Sequence, residues 1–162
     1  MTVDIKEVSN SNENQITELI LNIQKNEFNI SISIEDQPDL LAIEDFYISN
    51  GGNFFGAFKD DELVGTIALV KFDNNSGAIR KMFVKKEFRG KEFNIAQNLF
   101  DVLIDYCHRN GIDNVFLGTV SVLKAAQRFY ERNGFEIIEK NQLPDKFPVM
   151  GSDDVFFSIK LN

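Results

Sequence analysis

The sequence is poor in the residues that most often carry metal, redox or disulfide chemistry. It has 162 residues, with one cysteine (Cys107), one histidine (His108) and no tryptophan. A single cysteine excludes an internal disulfide and favours a reducing compartment. Adjacent residues on a helix point about 100° apart, so Cys107 and His108 do not form a nucleophile–base pair or a metal cluster. We predict a buried Cys107, an exposed His108 and no metal.

Long apolar runs, signal-peptide features and an excess of basic residues are also missing. No apolar run approaches the roughly 20 residues of a membrane span, and the start MTVDIKEV lacks a basic and apolar leader. Lysine and arginine number 17 against 25 aspartates and glutamates, a net charge of −8, which argues against sequence-independent nucleic-acid binding. The motifs G-x-x-x-x-G-K-[ST] and G-x-S-x-G are absent as well. We expect a cytoplasmic protein with no nucleic-acid or membrane partner.

The length of the chain indicates one domain, residues 1–162, and hydrophobic periodicity indicates that strands and helices are mixed in it. The predicted strands are residues 3–8, 53–59, 63–72, 78–85, 114–119, 135–139 and 155–161. The predicted helices are residues 13–25, a segment beginning near Pro38, residues 94–110 and residues 123–133. Short turns make the strands between 53 and 85 an antiparallel meander, whereas the crossover helix before residues 114–119 implies a parallel pair. We therefore predict an α/β (mixed α+β) fold with a central sheet of about six to seven strands and about four helices.

The stretch from Arg80 to Phe100, RKMFVKKEFRGKEFNIAQNLF, combines a strand end, a basic turn and the start of a helix. Six basic side chains fall within twelve residues against one acid, Glu87, although the whole chain is acidic. Such local charge indicates an anionic ligand. The helix opens at about Asn94, and its first amides have no partner within the helix. These donors suit a phosphate or pyrophosphate, although a solvated charge run is the commoner explanation of such a pattern.

A second informative stretch is LKAAQRFYERNGF, residues 123–135. Ala125, Ala126, Phe129 and Tyr130 share one side of a predicted helix that ends at Gly134. The small residues leave room for a ligand to pass close to the helix. The residues alone favour a helix that packs tightly through its alanines, with Tyr130 at the edge of the core.

Together the two stretches resemble the GNAT superfamily of N-acetyltransferases. Its coenzyme motif, Q/R-x-x-G-x-G/A, corresponds to residues 91–96, with Arg89 and Gly90 just before it. Asn94 stands at the usual first glycine, and asparagine tolerates left-handed geometry. The second motif, A-x-x-F-Y-x-x-x-G-F, falls on residues 126–135, and Leu123 stands where the family often has asparagine. The resemblance covers about residues 78–139 and implies a GNAT-like fold, with the parallel strand pair at the coenzyme site.

The resemblance implies that acetyl-CoA is the co-substrate. Strand 78–85 would pair with the pantetheine, and an amide near Met82, Phe83 or Val84 would stabilise the carbonyl oxygen. Main-chain amides of the turn would hold the pyrophosphate, with charge added by two basic side chains. The residues assigned to this turn are Arg89, Gly90, Lys91, Phe93, Asn94, Ile95 and Ala96. Those assigned to the pantetheine and sulfur are Ala126, Phe129, Tyr130 and Thr119. Leu123 has no polar group for one coenzyme hydrogen bond, which is therefore either missing or supplied by Thr119 or Ser121.

The same resemblance implies direct attack by a primary amine of a small molecule or peptide, with Tyr130 donating a proton to the departing thiolate. A phenol is protonated at neutral pH and is available as that acid. Glu35 and Asp36 are the candidates for substrate binding or for deprotonating the amine, and a chain of water molecules is the alternative route for that proton. The alternative function is a non-catalytic module with the same fold that binds or senses CoA. The sequence leaves a homodimer open.

Overall fold

A seven-stranded sheet runs through the computed structural model, which describes residues 2–161. Its strands are β1 Val3–Glu7, β2 Asn53–Lys59, β3 Glu62–Asp73, β4 Ser76–Val84, β5 Asn114–Thr119, β6 Glu136–Ile138 and β7 Val155–Lys160. Their order across the sheet is β1-β2-β3-β4-β5-β7-β6. Strands β1 to β4 are antiparallel neighbours, β4 and β5 are parallel, and β7 is antiparallel to both β5 and β6. The predicted mixed sheet, its meander and its parallel pair are confirmed.

Three α-helices accompany the sheet: α1 Glu13–Leu21, α2 Ile95–Arg109 and α3 Lys124–Arg132. Helix α1 continues as a π-helical segment, Asn22–Glu27, so the helical path ends close to the predicted residue 25. The helix predicted to begin near Pro38 does begin there. It is divided, however, into a 3₁₀ turn, Pro38–Leu41, and a π-helical segment, Glu44–Ile48. The predicted number of helical segments is therefore close to the observed one, although the second is irregular.

The sheet separates two hydrophobic clusters, because successive residues of a strand point to opposite faces. Ile67 and Leu69 of β3 pack with helix α2, whereas Ala68 faces the cluster of helix α1. Leu99 and Leu103 of α2 are fully buried in the first cluster, as is Cys107. His108, next to it, is exposed. The helices therefore lie on both faces of the sheet, and the predictions for Cys107 and His108 are confirmed.

The parallel strands β4 and β5 are paired over only part of their length. Their pairing runs from Ser76 with Asn114 to Ile79 with Leu117, although β4 continues to Val84. Beyond Ile79 the two strands part and leave an opening in the middle of the sheet.

A bulge in β4 lies immediately after this parting. Thr66 of β3 pairs with Phe83 and Ala68 pairs with Arg80, so two residues of β4 lie opposite one of β3. Lys81 takes a left-handed backbone conformation, with φ of +56°. The buried Thr66 hydroxyl donates a hydrogen bond to the Lys81 carbonyl at 2.7 Å. A bulge redirects the side chains that follow it, so this one sets which residues of β4 reach the opening.

Candidate active site

A cavity of about 130 Å³ fills the opening between β4 and β5. Residues 79–83 of β4 and 118–120 at the end of β5 form its floor, and α3 contributes Ala126 and Tyr130. Residues from the segment 24–37 and from the late loop 147–153 complete the lining. Four of the predicted coenzyme-site residues, Met82, Phe83, Thr119 and Ala126, thus meet Tyr130 around one cavity.

The turn before helix α2 has the geometry expected of an anion site. Gly90 and Asn94 both have positive φ, +113° and +53°, so Asn94 takes the left-handed conformation that asparagine tolerates. The Asn94 amide donates to the Gly90 carbonyl at 3.0 Å, and the Asn98 amide donates to the Asn94 carbonyl at 3.1 Å. Within residues 2–161 the three intervening amides, 95–97, have no backbone acceptor outside the helix. They remain available as donors at the positive end of the helix dipole.

The hydrophobic residues of this turn anchor it to the core. Phe88 and Phe93 pack edge to face with ring centroids 5.3 Å apart. Ile95 is buried, and Ala96 is half-buried against the same cluster. The amides at the start of α2 are therefore held in place by packing, while Lys91 and Asn94 are exposed.

Arg89 has partners within the protein. Its Nε donates to the Val84 carbonyl at 2.8 Å, and its two terminal nitrogens donate to the Glu27 carboxylate. These hydrogen bonds lower the pKa of Glu27. Arg89 therefore joins the end of β4 to the segment after α1. Lys91, the other basic residue predicted for the turn, has no ion pair within residues 2–161.

Tyr130 is buried at the cavity, with only 5% of its surface exposed. Its ring packs on Phe129, Phe135 and Phe157. Its hydroxyl lies 3.5 Å from the Met82 Sδ, a weak acceptor. Burial, with a smaller contribution from the Asp153 charge, raises the pKa of Tyr130. The phenol is therefore protonated at neutral pH and keeps a proton that it can donate.

The hydrogen bonds at the end of β5 distinguish Thr119 from Ser121. Thr119 is buried and lines the cavity, and its carbonyl accepts a hydrogen bond from the Asp154 amide at 2.9 Å. Ser121 instead donates its amide and its hydroxyl to the Asp154 carboxylate, at 2.8 and 3.0 Å. Thr119 and Ser121 are the two candidates for the coenzyme hydrogen bond that Leu123 cannot make. Thr119 lines the cavity, whereas Ser121 does not.

A buried polar cluster, which the sequence patterns did not reveal, adjoins the cavity. Its members are Gln24, Gln37, Asp39, Tyr47, Arg80 and Lys81. Lys81 Nζ donates to Gln37 Oε1 and lies 3.7 Å from the Asp39 carboxylate, which also accepts from the Tyr47 hydroxyl. Burial lowers the pKa of Lys81 to about 8, against the opposing effect of Asp39. The two basic residues that open the Arg80–Phe100 stretch thus face a different site from the turn before α2.

Asp153 of the late loop also lines the cavity. A Cβ atom placed on Gly118 would lie 2.5 Å from Asp153 Oδ2, so this glycine makes room for the carboxylate beside β5. Burial raises the pKa of Asp153 to about 6, although Arg80 and Lys81 oppose the rise. Asp153 and Asp154 are adjacent in a segment without hydrophobic periodicity, so the sequence does not indicate which of the two turns inward.

Glu35 and Asp36, the predicted substrate residues, lie outside the cavity lining and are exposed. Asp36 accepts hydrogen bonds from the Ser33 amide and hydroxyl at 3.0 and 3.1 Å. This cap fixes its carboxylate on the surface, and the polar residues of the same segment that turn inward are Gln37 and Asp39. The predicted segment reaches the site, but the predicted acids do not.

Neither a metal cluster nor a membrane span occurs within residues 2–161. These residues contain no group of three or more histidine, cysteine, aspartate or glutamate side chains placed to hold a metal ion. No helix among them has the length and hydropathy to cross a membrane. The absence of a metal from the reaction stays a prediction.

Comparison with known proteins agrees with this geometry. A solved acetyltransferase of the GNAT family from Staphylococcus aureus Mu50 is 41% identical, with a TM-score of 0.96 over 99% of this chain and 100% of that one. The PaiA N-acetyltransferase from Thermoplasma acidophilum, solved in complex with coenzyme A, is 20% identical, with a TM-score of 0.79 over 99% of each chain. At 20% identity, the likeness to the PaiA enzyme shows the fold alone.

A curated relative extends beyond the part that matches this chain. N-acetylaspartate synthetase from Danio rerio is 33% identical over 106 residues, which are 64% of this chain and 37% of that protein. The chain thus corresponds to little more than a third of this relative. The sequence model described as "Acetyltransferase (GNAT) family" matches residues 17–135. Since this match covers most of the chain, the protein belongs to the GNAT family of acetyltransferases, as its two motifs predicted.

Proposed function

We propose that the protein is an acetyl-CoA-dependent N-acetyltransferase that acts on the primary amine of a small molecule. The observation that carries the proposal is the parting of β4 and β5, which opens a cavity lined by Tyr130, together with a left-handed turn before α2 that suits an anion. The family and the names of its relatives support acetyl transfer to an amine. They lend no support to the alternative of a non-catalytic CoA sensor.

The residues at the parted strands fit acetyl-CoA, which supplies the activated acetyl thioester when it is bound. The free amides of residues 95–97 and the left-handed Asn94 suit a pyrophosphate. The edge of β4 beyond Ile79 is not paired with β5, so its backbone can bind an extended amide chain. Lys91, exposed beside the turn, adds charge, whereas Arg89 contributes by holding the turn against Glu27.

Three groups of this chain would serve the transfer. An amide of residues 82–84 would donate to the carbonyl oxygen as negative charge develops on it. The Tyr130 hydroxyl would donate its proton to the departing sulfur, and the Asp153 carboxylate would accept a proton from the incoming ammonium. Both side chains line the same cavity, and burial, with a smaller contribution from the Asp153 charge, raises the pKa of Tyr130.

The small size of the cavity favours a small-molecule acceptor over a peptide. Its volume is about 130 Å³, well below the roughly 300 to 1,000 Å³ of pockets that bind drug-sized ligands. We propose a cytoplasmic setting, because the free Cys107 suits a reducing compartment. A homodimer stays an untested prediction.

Release of free CoA thiol in the presence of acetyl-CoA and a panel of primary amines tests the proposal. We expect release that depends on the amine, together with an N-acetylated product found by mass spectrometry. A folded protein that binds acetyl-CoA but releases no thiol with any amine would support the sensor instead. A protein that does not bind acetyl-CoA would contradict both functions.

A further inference from the structure

The cavity between β4 and β5 is lined by charges of both signs. Arg80 and Lys81 come from β4, with side chains only 11% and 6% exposed, and Asp153 comes from the late loop. Within residues 2–161, the ion pairs of the two cations shorter than 4.0 Å are both made with Asp39. Asp153 is therefore not neutralised by contact with either cation. Such a cavity suits a ligand that carries both a negative and a positive group.

Arg80 forms the positive pole of this cavity. Its guanidinium has five N–H donors, yet its polar contacts within residues 2–161 are the Met150 Sδ at 3.0 Å and the Asp39 carboxylate at 3.9 Å. A thioether is a weak acceptor, so most of the donors are left for a ligand. The Phe46 ring, 5.5 Å from the guanidinium carbon, supports its plane. A guanidinium can donate two parallel hydrogen bonds to one anion. Among small anions other than phosphates, a carboxylate matches this geometry best.

Lys81 adds to the positive pole but is largely satisfied within the protein. Its ammonium donates to Gln37 and lies 3.7 Å from Asp39. The Asp39 carboxylate can neutralise the charge of only one of the two cations, so one positive charge remains in excess where β4 lines the cavity. A ligand carboxylate would balance that excess.

Asp153 forms the negative pole. Its carboxylate lies against Gly118, at the end of β5, where a side chain on residue 118 would displace it. The neighbouring acid, Asp154, binds Ser121 and is exposed, so it does not compete for this position. An ammonium at Asp153 would lie in the same cavity as Tyr130, which also lines it.

We infer that the acceptor is a small amino acid whose carboxylate binds Arg80 and whose ammonium faces Asp153. The inference rests on the proposed acetyl transfer and specifies its substrate class. The ammonium gives one proton to Asp153, the freed nitrogen lone pair forms the bond to the acetyl carbon, and the carbon–sulfur bond breaks as Tyr130 protonates the sulfur. The nitrogen then loses its second proton to the Tyr130 phenolate, which restores the hydroxyl and leaves the neutral amide. The half-buried Ile30 and Ile32 and the buried Phe147 supply apolar walls for a short side chain.

Matched pairs of acceptors test the inference: glycine with methylamine, leucine with isoamylamine, and phenylalanine with phenethylamine. The members of each pair differ by the carboxylate alone. We expect kcat/KM to favour the preferred amino acid over its matched amine by roughly tenfold to a hundredfold, as for hydrogen bonds to charged groups. Calorimetric titration of the same compounds into the protein with CoA gives a readout that needs no turnover.

Variants at each pole separate their roles. Arg80→Gln should abolish the preference for the carboxylate, so that the amino acid reacts no better than its matched amine, and Arg80→Lys should restore part of the preference. Asp153→Asn should slow both members of a pair alike, because both carry the ammonium. Arg109→Gln is the matched control, since Arg109 is an exposed arginine at the end of α2, paired with Asp105.

The possible failures are distinguishable. Matched amines that bind and react as well as the amino acids would overturn the inference and keep the acetyltransferase. If amino acids bind through Arg80 but are never acetylated, the amino-acid site is supported and the proposed acetyl transfer is contradicted. If calorimetry shows that the wild-type protein binds none of the amino acids, the inference is wrong, whether or not the protein acetylates an amine.

Discussion

Asp153 is the residue whose titration should govern the acid side of the pH profile. Burial raises its pKa from 3.8 to about 6, so the base is protonated below that pH and ionised above it. We expect kcat/KM to rise with pH through about 6 and to be roughly a hundredfold lower in Asp153→Asn. The charged and titratable groups facing it are Arg80, Lys81, Tyr130 and Asp154. If kcat/KM of Asp153→Asn falls below about pH 6 as it does in the wild type, Asp153 does not have this role. Asp145→Asn is the control, because Asp145 is an exposed acid close to Asp153 in the chain.

The same carboxylate should reduce the stability of the folded protein at neutral pH. Because the folded pKa is raised, the folded protein binds this proton more tightly than the unfolded chain does. The stability contributed by the protonated form is lost as pH rises from about 4 through about 6. Asp153→Asn should therefore leave Tm at pH 7.5 equal to or above that of the wild type while it lowers turnover. Thermal denaturation of both proteins measures this, and a lower Tm would show that the ionised carboxylate is held by favourable contacts.

Tyr130 is the second residue with a separable chemical role. Its hydroxyl makes one weak contact, with Met82 Sδ at 3.5 Å, so its removal should cost little stability. We expect Tyr130→Phe to bind acetyl-CoA normally and to lose roughly a hundredfold in kcat. Tyr106→Phe is the matched control, because that hydroxyl donates to the Gly51 carbonyl at 2.7 Å, far along α2 from the turn. Equal rates for wild type and Tyr130→Phe would remove this tyrosine from the chemistry.

At the scale of elements, the bulge in β4 should depend on one hydroxyl. Thr66 is fully buried, and its hydroxyl bonds the carbonyl of the left-handed Lys81. Thr66→Val would leave that carbonyl without its partner, at a cost of about 1 to 3 kcal/mol, and should lower kcat by shifting Met82 and Phe83. Urea denaturation and kinetics measure the two effects.

Thr17→Val is the matched control for this substitution. Thr17 Oγ1 is also buried, but it makes no hydrogen bond within residues 2–161. Replacing that hydroxyl by a methyl group should therefore leave stability unchanged or raise it. A similar loss of stability in both variants would mean that the hydroxyl at the bulge has no special role.

The turn before α2 should tolerate glycine and reject a branched residue. Asn94 has φ of +53°, a conformation that costs a β-branched residue roughly 1 to 2 kcal/mol. Asn94→Gly should keep or tighten acetyl-CoA binding, whereas Asn94→Val should weaken both binding and stability. Isothermal titration with acetyl-CoA distinguishes the variants. Equal affinity in Asn94→Val would indicate that the turn does not contact the coenzyme.

At the scale of the whole molecule, local signals predicted most of the fold. The left-handed turn could be anticipated at Asn94, and the crossover length indicated the parallel β4–β5 pair. The charges of the cavity could not be anticipated. A bulge set by pairing with β3 turns Lys81 inward, and a loop without periodicity brings Asp153 to Gly118. Both depend on contacts between residues distant in sequence, which is also why the sequence could not show that Gln37 and Asp39 turn inward whereas Glu35 and Asp36 do not.

Thermal unfolding with and without acetyl-CoA tests the central claim most directly. A ligand at 100 times its Kd that binds only the folded state adds roughly 2.7 kcal/mol, or about 5 to 10 °C in Tm for a chain of this size. ATP at the same concentration controls for general binding of phosphates. We predict a rise in Tm with acetyl-CoA and little or none with ATP. An unchanged Tm at millimolar acetyl-CoA, or an equal rise with ATP, would contradict a coenzyme site between β4 and β5.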